Sequence, residues 1–569
     1  MLNLSIPVKI VNYICNSLCA RSLLISHQNS PVFSRMAWKG LPQGSVLSPL
    51  LYSLYTYNLD LSVNSFCNVL QYADDIALYV SASDLSVAAA RLNSAIHYLN
   101  EWLTEHGLNI SVEKSCIVVF SRSRTIPNLT VTINNQVFPV SDKVKFLGVF
   151  LDSKMTGVHH IKHVLRKCEK NLNIMRCLSG VWWGSHPYTQ KLIYNALIRS
   201  HLDYGSFILE PCHKTIIREL DKIQSKALRI IVGAMKSSPI NALQVECAEP
   251  PLYLRRQYLS DRFIFKTLQL SSHPLSARLH RLSQLVLSSS YWSHKSPPCL
   301  IKSYNKFIGL PSPVHQCRIL PIYEVPFDAL VLLPNISFNL GIEKGSHSAN
   351  QQFNYAINIY YKDWYHLFTD SSKFSEHGCI GSAVWIPKVN VVLNCKMPPA
   401  SSVFTGEAVA ILEALSFIES HKLNNSVIFS DSRSCLQSIL HNPFKSKFKF
   451  PFILKIRHLL LKCLAQNIRV EMAWIPAHSG IIGNEKADFF AKEATTSGGL
   501  SHYKVYSHDL ISLAKTRMIR DWSEVWSRSS TTKGTFYASV QGSILVKPWF
   551  FKYRKASKWV TSTVCRIRY

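Results

Sequence analysis

The sequence predicts a multidomain protein in which an α+β region is followed by a helical region and then by a separate α/β domain. The chain has 569 residues, whereas single domains usually contain about 100 to 200. Strand and helix patterns alternate over residues 1–152 and again over residues 356–496, but residues 153–270 show only helical periodicity. We therefore expect three to five domains.

The composition indicates a globular protein with a polyanionic partner. Apolar residues make up 47% of the chain and aromatic residues 11%, which is enough to bury several cores and excludes a disordered chain. Lys and Arg number 63 against 34 Asp and Glu, a net charge of +29 that is spread along the chain. The basic residues are interleaved with aromatic ones, which favours nucleic acid as the partner. A ribosomal-type or membrane-surface protein is the alternative.

Cysteine usage and the N-terminus predict an intracellular protein. The fifteen cysteines contain no Cys-x-x-Cys pair, which favours reduced thiols over zinc ligands or disulfides. Lys9 interrupts the apolar N-terminus, and no uncharged run reaches the ~18 residues of a membrane span. We expect a cytoplasmic or nuclear location, with no secretion, no membrane partner and no small-molecule cofactor.

Two motifs lie in the first α+β region, residues 1–152. Residues 40–49, GLPQGSVLSP, place two glycines and two prolines around a helix start, which leaves backbone exposed for a ligand. Residues 69–79, VLQYADDIALY, predict two strands joined by a tight turn with two carboxylates at its tip. The region ends in a strand-like run over residues 144–151, and no Asp or Glu precedes Asp60.

The remaining regions outside the α/β domain differ in their patterns. Residues 153–270 are predicted to be helical because apolar residues such as Cys168 and Leu172 recur at helical spacing. Residues 271–355 are rich in Ser, Pro and His, which indicates a connector with little structure of its own. Residues 497–569 are interpreted as a basic, Trp-containing tail.

Two acidic residues of the α/β domain, residues 356–496, accompany predicted strands. One strand begins near Tyr365 and is predicted to end at Asp370. Another covers residues 426–430 and delivers Asp431 just before a helix. Because open α/β sheets carry their chemistry at strand ends, both carboxylates are candidate site residues.

Two further acidic residues are predicted on buried helix faces. Glu407 lies in a helix over residues 405–419, on the edge of its apolar face, while Glu413 points to solvent. Asp488 shares a face with small alanines in a helix that Asn484 is expected to cap. A carboxylate on an apolar face requires a cation or a hydrogen-bond donor.

The four carboxylates predict an oxygen-only metal site at one edge of the sheet. Without Cys or His at ligand spacing, such a site suits Mg²⁺ or Mn²⁺ and not zinc. Two such ions, about 3.5–4 Å apart, support in-line hydrolysis of a phosphodiester. Residues 473–480, AWIPAHSG, predict a strand that runs into a Gly-ended loop presenting His478. Any one of these acids alone would be interpreted as a solvated side chain.

The four acids, Asp370, Glu407, Asp431 and Asp488, together with GNEKAD over residues 483–488, resemble the ribonuclease H family over about 135 residues. The resemblance implies a mixed five-stranded sheet with helices. It also implies that the four acids bind two divalent ions, Mg²⁺ or Mn²⁺, and that the RNA strand of an RNA–DNA hybrid is cut.

The same resemblance implies roles for residues around the four acids. His478 would assist proton transfer or product release, and Ser371, Ser372 and Asn484 would contact the nucleic acid. Ser371 stands where the family often has Gly, a departure beside the hybrid.

The two motifs of residues 1–152 together resemble the palm of reverse transcriptases, and of jockey-like non-LTR retrotransposons in particular. The resemblance extends over residues 1–270, with the helical region similar to a thumb. It implies RNA and DNA as partners. It implies metal binding by Asp74 and Asp75, a template or nucleotide contact by Gln43, and protonation of pyrophosphate by Lys114.

One departure concerns the polymerase. In the family, another metal-binding Asp lies about 60 residues before the motif at Gly40 and would here precede Met1. We expect a fragment of a longer reading frame, with a complete ribonuclease H site and an incomplete polymerase that makes no useful DNA by itself. One alternative is a non-catalytic nucleic-acid-binding remnant. Another is part of a reverse transcriptase that a second chain complements.

Overall fold

The computed structural model describes most of the chain and divides it into two compact units, Met1–His160 and Ile161–Tyr569. The described residues are 4, 6–27, 30–121, 123, 129–180, 183–209, 214–294, 296–310, 314–374, 378–444, 450–499 and 501–569. All four acids of the predicted ribonuclease site lie in the second unit.

The first unit mixes helices with β-hairpins, as the α+β prediction requires. Its helices are α1 (Val8–Leu18), α2 (Ser48–Tyr55) and α3 (Leu85–Glu105). Its strands pair in sequence order as four antiparallel hairpins: β1 (Arg21–His27) with β2 (Ser30–Ala37), β3 (Asn68–Tyr72) with β4 (Asp75–Tyr79), β5 (Thr132–Ile133) with β6 (Gln136–Val137), and β7 (Lys143–Phe146) with β8 (Val149–Asp152). Helix α3 buries Leu99 and Leu103 against Leu59 and Val63.

The predicted single strand over residues 144–151 is wrong, because this run is a hairpin. Phe146 of β7 pairs with Val149 of β8. The two residues between them, Leu147 and Gly148, have φ of 45° and 80°. A two-residue turn with both φ positive matches the twist of antiparallel strands, so the apolar run folds back on itself.

The second unit begins with the helical region that the sequence predicts. Its helices up to residue 267 are α4 (Val158–Cys177), α5 (Pro187–Ile193), α6 (Ser200–Asp203), α7 (Lys214–Val232), α8 (Ile240–Glu246) and α9 (Leu252–Thr267). Cys168, Leu172 and Met175 of α4 are fully buried against apolar residues of α7, as their spacing indicates. A π-helical stretch, Tyr194–Arg199, joins α5 to α6.

Residues 271–355 have more structure than the connector interpretation allows. They contain α10 (Leu275–Ser288), α11 (Ser290–Ser293), α12 (Cys299–Ile308), α13 (Phe327–Val331), the short strand β9 (Ile336–Ser337) and the start of α14 (Ala349–Tyr360). Pro274, Pro298 and Pro326 stand at the N-caps of three of these helices. Prolines are favoured at helix starts. The Pro-rich composition, which indicated a connector, in fact marks the starts of short helices.

A six-stranded mixed sheet forms the α/β domain. Its remaining elements are β10 (Tyr365–Lys373), β11 (Ile380–Ile386), β12 (Val391–Met397), α15 (Val403–Ser420), β13 (Ser426–Ser430), α16 (Arg433–Leu440), α17 (Pro451–Ala465), β14 (Val470–Trp474) and α18 (Ile482–Ser497). The strand order is β12-β11-β10-β13-β14-β9, antiparallel up to β10 and parallel beyond it. The five expected strands are present, and β9 adds a sixth from the supposed connector.

The segment after residue 497 is folded and is not a free tail. It forms α19 (Ser507–Ser529), α20 (Thr535–Val540) and α21 (Lys558–Ile567). Trp522, Trp526 and Tyr537 are buried with Ala242 and Val245 of α8. The tail interpretation gave weight to the basic residues and overlooked the apolar side of α19. None of the described helices is long and apolar enough to cross a membrane.

Candidate active site

Two neighbouring parallel strands place Asp370 beside Asp431. Thr369 of β10 is in register with Ser430 of β13, so the residue that follows each of them lies at the same level. Strand β10 does not end at Asp370 as predicted, because it continues to Lys373 as the antiparallel partner of β11. The parallel pairing stops at Thr369, and Asp370 therefore borders the gap that opens beyond β13.

Helix α15 brings Glu407 to the same gap. The helix begins at Val403, two residues earlier than predicted, and the Ser402 side chain caps it by accepting a hydrogen bond from the Thr405 amide. Gly406 lies against β10, where a Cβ atom would be 2.6 Å from Ser371 Oγ. Because Gly406 has no side chain, α15 can lie close to the strand and direct Glu407 towards Asp370.

Three carboxylates meet at this point. Asp370, Glu407 and Asp431 each offer an oxygen, and the three oxygens lie within 4.8 Å of one another. Asp370 is only 6% exposed and Glu407 only 5%. Three acids in so small and buried a volume cannot all be charged without a cation, because their charges repel one another and are removed from water.

The pKa values of the three acids reflect this crowding. Burial, together with the nearby charges of Asp431 and Asp488, raises the pKa of Asp370 to about 8. Burial is also the main cause that raises the pKa of Glu407 well above its usual range, with Asp370 and Asp431 adding to it. Burial raises the pKa of Asp431 as well, although a hydrogen bond from Asn484 opposes the rise.

The hydrogen bonds of the cluster leave room for a divalent cation. The Ser371 amide donates to Asp370 Oδ1 at 2.6 Å and to Glu407 Oε1 at 3.2 Å. The other oxygen of Glu407, Oε2, is buried and has no hydrogen-bond partner among the residues that the structure describes. A buried carboxylate oxygen without a donor, in an all-oxygen set, fits Mg²⁺ or Mn²⁺.

The fourth acid, Asp488, belongs to an adjacent cluster. Oxygens of Asp488 and Glu485 and a ring nitrogen of His478 lie within 4.8 Å of one another. The Lys492 ammonium donates to Asp488 Oδ2 at 2.5 Å, one helical turn along α18. Only three of the four predicted acids therefore form one compact cluster, and Asp488 stands beside it with an ion-pair partner.

Asn484 has a different structural role from the predicted cap. Helix α18 begins at Ile482, with Ile481 at the N-cap, so Asn484 lies inside the first turn. Its side-chain amide donates to Asp431 Oδ2 at 3.3 Å. The sequence rule favoured Asn as a cap, whereas in the fold its side chain contacts the neighbouring strand end.

Three other predicted site residues lie around the clusters. His478 is exposed in the loop after β14 and has a φ of 48°. Ser371 and Ser372 follow Asp370 on β10, where Ser371 is buried and Ser372 is partly exposed. Glu413 does not point freely to solvent as predicted, because the Tyr503 hydroxyl donates to its Oε1 at 2.7 Å.

Sequence reasoning missed Glu485, Lys492 and Trp474. Glu485 and Lys492 stand three residues before and four residues after Asp488, so helical spacing alone could have indicated them. The Trp474 indole donates to the Asp431 backbone carbonyl at 3.1 Å, and the Arg433 guanidinium lies 5.4 Å from the Trp474 ring centre. These contacts fix the turn that carries Asp431.

The four residues that the reverse transcriptase resemblance singles out lie on the surface of the first unit. Tyr72 pairs with Asp75, so Asp74 lies in the two-residue turn of the β3–β4 hairpin and both acids are exposed. Gln43 is exposed in the loop before α2. Lys114 is exposed in a short 3₁₀ turn, Val112–Lys114.

A mixed sheet with two acids where the pairing of its central parallel strands stops, and with a further acid on a helix packed against it, is the arrangement of ribonuclease H-like domains. Residues 362–496 match the family model of RNase H, and residues 4–151 match the model of reverse transcriptase (RNA-dependent DNA polymerase). The chain therefore contains a region that matches reverse transcriptases and a separate region that matches RNase H.

Similar proteins come from mobile elements of flies. The chain is 28% identical over 203 residues to the RNA-directed DNA polymerase from mobile element jockey of Drosophila funebris, a match that covers 34% of this chain and 22% of the relative. It is 24% identical over 244 residues to the corresponding protein of Drosophila melanogaster, covering 42% of this chain and 26% of the relative. The chain thus spans about a quarter of the length of the curated relatives it matches.

Solved structures of RNase H proteins are also similar. An RNase H1 isolated from compost by a metagenomic approach is 18% identical, covering 23% of this chain and 96% of that one, with a TM-score of 0.19. RNase H1 from the halophilic archaeon Halobacterium salinarum is 16% identical, with the same coverages and a TM-score of 0.18.

Proposed function

We propose that the second unit hydrolyses the RNA strand of RNA–DNA hybrids with the help of divalent metal ions. The observation that carries the proposal is the buried cluster of Asp370, Glu407 and Asp431, which includes a carboxylate oxygen without a donor. The match of the surrounding residues to the RNase H model supports the choice of substrate. The net charge of +29 supports a polyanionic substrate.

Asp370, Glu407 and Asp431 would hold the metal, and Asp488 would complete the site from α18. When bound, Mg²⁺ or Mn²⁺ supplies Lewis-acid activation of water and stabilises the charge that develops on the leaving 3′-oxygen. The Ser371 amide fixes the two buried carboxylates Asp370 and Glu407, and Asn484 fixes Asp431. These contacts preorganise the oxygen ligands before substrate arrives.

The exposed residues would handle substrate and product. His478 is accessible beside Asp488, so it is placed to move a proton or to assist product release. Ser372 would contact the nucleic acid from the adjoining strand. The Lys492 ammonium contacts only Oδ2 of Asp488, so the other carboxylate oxygen would be the one to bind a metal ion while the ion pair stays closed.

Cleavage of a labelled RNA–DNA hybrid tests the proposal. We expect cleavage with Mg²⁺ or Mn²⁺, none with EDTA, and none of an all-DNA duplex. Asp431→Asn and Glu407→Gln should each lower kcat by at least about 100-fold, since an amide cannot replace a charged metal ligand. Glu493→Gln, an exposed position on α18, is the matched control and should cleave like the parent chain.

Cleavage by Asp431→Asn at the parental rate would refute the site assignment. Hybrid that is bound in a salt-sensitive way but stays intact at millimolar Mn²⁺ would favour the non-catalytic binding remnant instead. The roles of Asp74, Asp75, Gln43 and Lys114 stay predictions. Extension of a primed RNA template by this chain alone would contradict the expected lack of DNA synthesis.

A further inference from the structure

A buried carboxylate outside the RNase H match contacts the helix that carries Glu407. Asp509 lies in the first turn of α19, thirteen residues beyond the match, and is 2% exposed. It accepts hydrogen bonds from Thr405 Oγ1 at 2.7 Å on one oxygen and 2.8 Å on the other. Ser402 Oγ lies 3.1 Å from the same Thr405 hydroxyl oxygen, so the three side chains form one polar group at the start of α15.

These contacts fix the N-terminal turn of α15 from the side opposite the acid cluster. Residues two apart on a helix point in directions about 200° apart, so Thr405 faces α19 while Glu407 faces β10. On the β10 side, Ser371 Oγ donates to the Val403 carbonyl at 3.1 Å, and Gly406 lies against Ser371. The turn is therefore held between Ser371 and Asp509.

The acid is itself anchored by the helical region. Leu510 and Ala514 of α19 are buried with Ile264 and Phe265 of α9. The Ser507 hydroxyl donates to Gln269 Oε1, and the His315 amide donates to the Val505 carbonyl at 2.8 Å. Asp509 thus connects α15 to helices of the second unit that lie outside residues 362–496.

We propose that Asp509 is a positioning residue for Glu407. It holds the Thr405 hydroxyl, and through it the first turn of α15, so that Glu407 keeps its place beside Asp370. A negative charge is well suited to this position because helix N-termini expose unpaired amides and carry partial positive charge. This inference depends on the proposed function only in the experiment that measures cleavage.

Asp509→Asn is the first test, carried out on the full chain. The amide has almost the same shape but offers only one acceptor oxygen to the Thr405 hydroxyl, which now contacts both carboxylate oxygens. We expect about a tenfold loss of kcat on hybrid with an unchanged KM, and about a tenfold weaker Mn²⁺ affinity by calorimetry. Asp521→Asn, at a half-exposed position of the same helix, should behave like the parent chain.

Hydrogen exchange distinguishes positioning from general stability. Faster exchange confined to the amides of residues 405–407 supports the proposal, whereas faster exchange throughout the domain with a lowered Tm would indicate a merely structural role and overturn it. Thr405→Val removes the hydroxyl that Asp509 binds, and it tests the same contact if Asp509→Asn does not fold. Its effects should not add to those of Asp509→Asn, since both substitutions disrupt the same hydrogen bonds.

The two proposals can fail separately. If the parent chain cuts no hybrid, the proposed function fails, while Mn²⁺ affinity and local exchange still decide the role of Asp509. If the parent chain cuts hybrid and Asp509→Asn matches it in kcat, Mn²⁺ affinity and exchange of residues 405–407, the positioning role is refuted.

Discussion

At the scale of single residues, the raised pKa of Asp370 links metal binding to pH. Its carboxyl group binds a proton up to about pH 8 in the folded chain, whereas an unfolded Asp releases it near pH 4. A raised folded pKa contributes stability that is fully present below the unfolded value and is lost as pH rises through the folded one. The metal-free protein should therefore lose stability between about pH 4 and pH 8.

The affinity for metal should rise with pH, whereas the stability of the metal-free protein falls. Because a divalent ion has to displace the proton on Asp370, we expect Mg²⁺ affinity to rise about tenfold per pH unit up to about pH 8 and then to level off. The Tm increase caused by Mg²⁺ should be larger at about pH 8.5 than at about pH 6.5. Asp370→Asn removes a proposed ligand and should abolish most of the Mg²⁺-induced Tm increase at both pH values, whereas Asp363→Asn, at an exposed position, should leave the increase and its pH dependence unchanged. A Tm increase that is the same at both pH values would contradict the displacement of a proton.

At the scale of secondary-structure elements, the close approach of α15 to β10 is the contact on which the site depends. A methyl group at residue 406 would meet Ser371 Oγ at 2.6 Å and Ile380 Cγ2 at 2.7 Å. Gly406→Ala should therefore lower the free energy of unfolding by about 1–3 kcal/mol, as overpacking does, and lower kcat by displacing Glu407. Denaturant unfolding and hybrid cleavage measure the two effects.

Gly499 provides the control for this substitution. A Cβ atom at Gly499 would have nothing within 4 Å, so Gly499→Ala should change neither stability nor cleavage. If Gly406→Ala is as stable and active as Gly499→Ala, the helix is not held at the distance that the structure indicates.

The sequence predicts the strands and helices that carry the site better than it predicts which side chains contact one another there. Asp431 could be placed because a buried apolar strand directly precedes it, and Glu407 because helical spacing puts it on a buried face. The Asn484 contact with Asp431 could not be predicted from the sequence, since it depends on how α18 packs against the end of β13. The Tyr503 contact with Glu413 joins residues 90 positions apart, a distance at which local patterns give no signal.

Elements that carry a weak pattern were predicted least well. Strand β9 has two residues, too few for an alternation to appear. The hairpin at Leu147 and Gly148 reads as a continuous apolar strand because its turn contains a leucine in a left-handed conformation, which only the fold reveals.

At the scale of the whole molecule, the positive charge is spread along the chain but is densest after Glu524. After Glu524 the chain has nine Lys and Arg residues and no acid. Lys552 and Lys555 are exposed there, and none of the ion pairs formed by the described residues includes them. This segment is a candidate surface for binding phosphates outside the acid clusters.

Binding measured against salt concentration tests that surface. Replacing Lys552 and Lys555 together by Gln should lower the slope of log affinity for hybrid against log salt by about two, because each lysine that neutralises a phosphate adds about one to the slope. Lys222→Gln should change the slope less, because Lys222 already pairs with Glu219 at 2.6 Å. An unchanged slope in the double variant would exclude these lysines from the nucleic-acid interface.

The positions of β9 and α19 have a consequence for synthesis of the chain on the ribosome. The sheet that bears Asp370 is bordered by residues 336–337, and the helix that bears Glu407 is covered by residue 509. Domains fold largely as their residues emerge, and contacts between distant residues form late. The acids are therefore synthesised before the helix that contacts Thr405, so a nascent chain paused near residue 496 would lack the Asp509 contact to the first turn of α15.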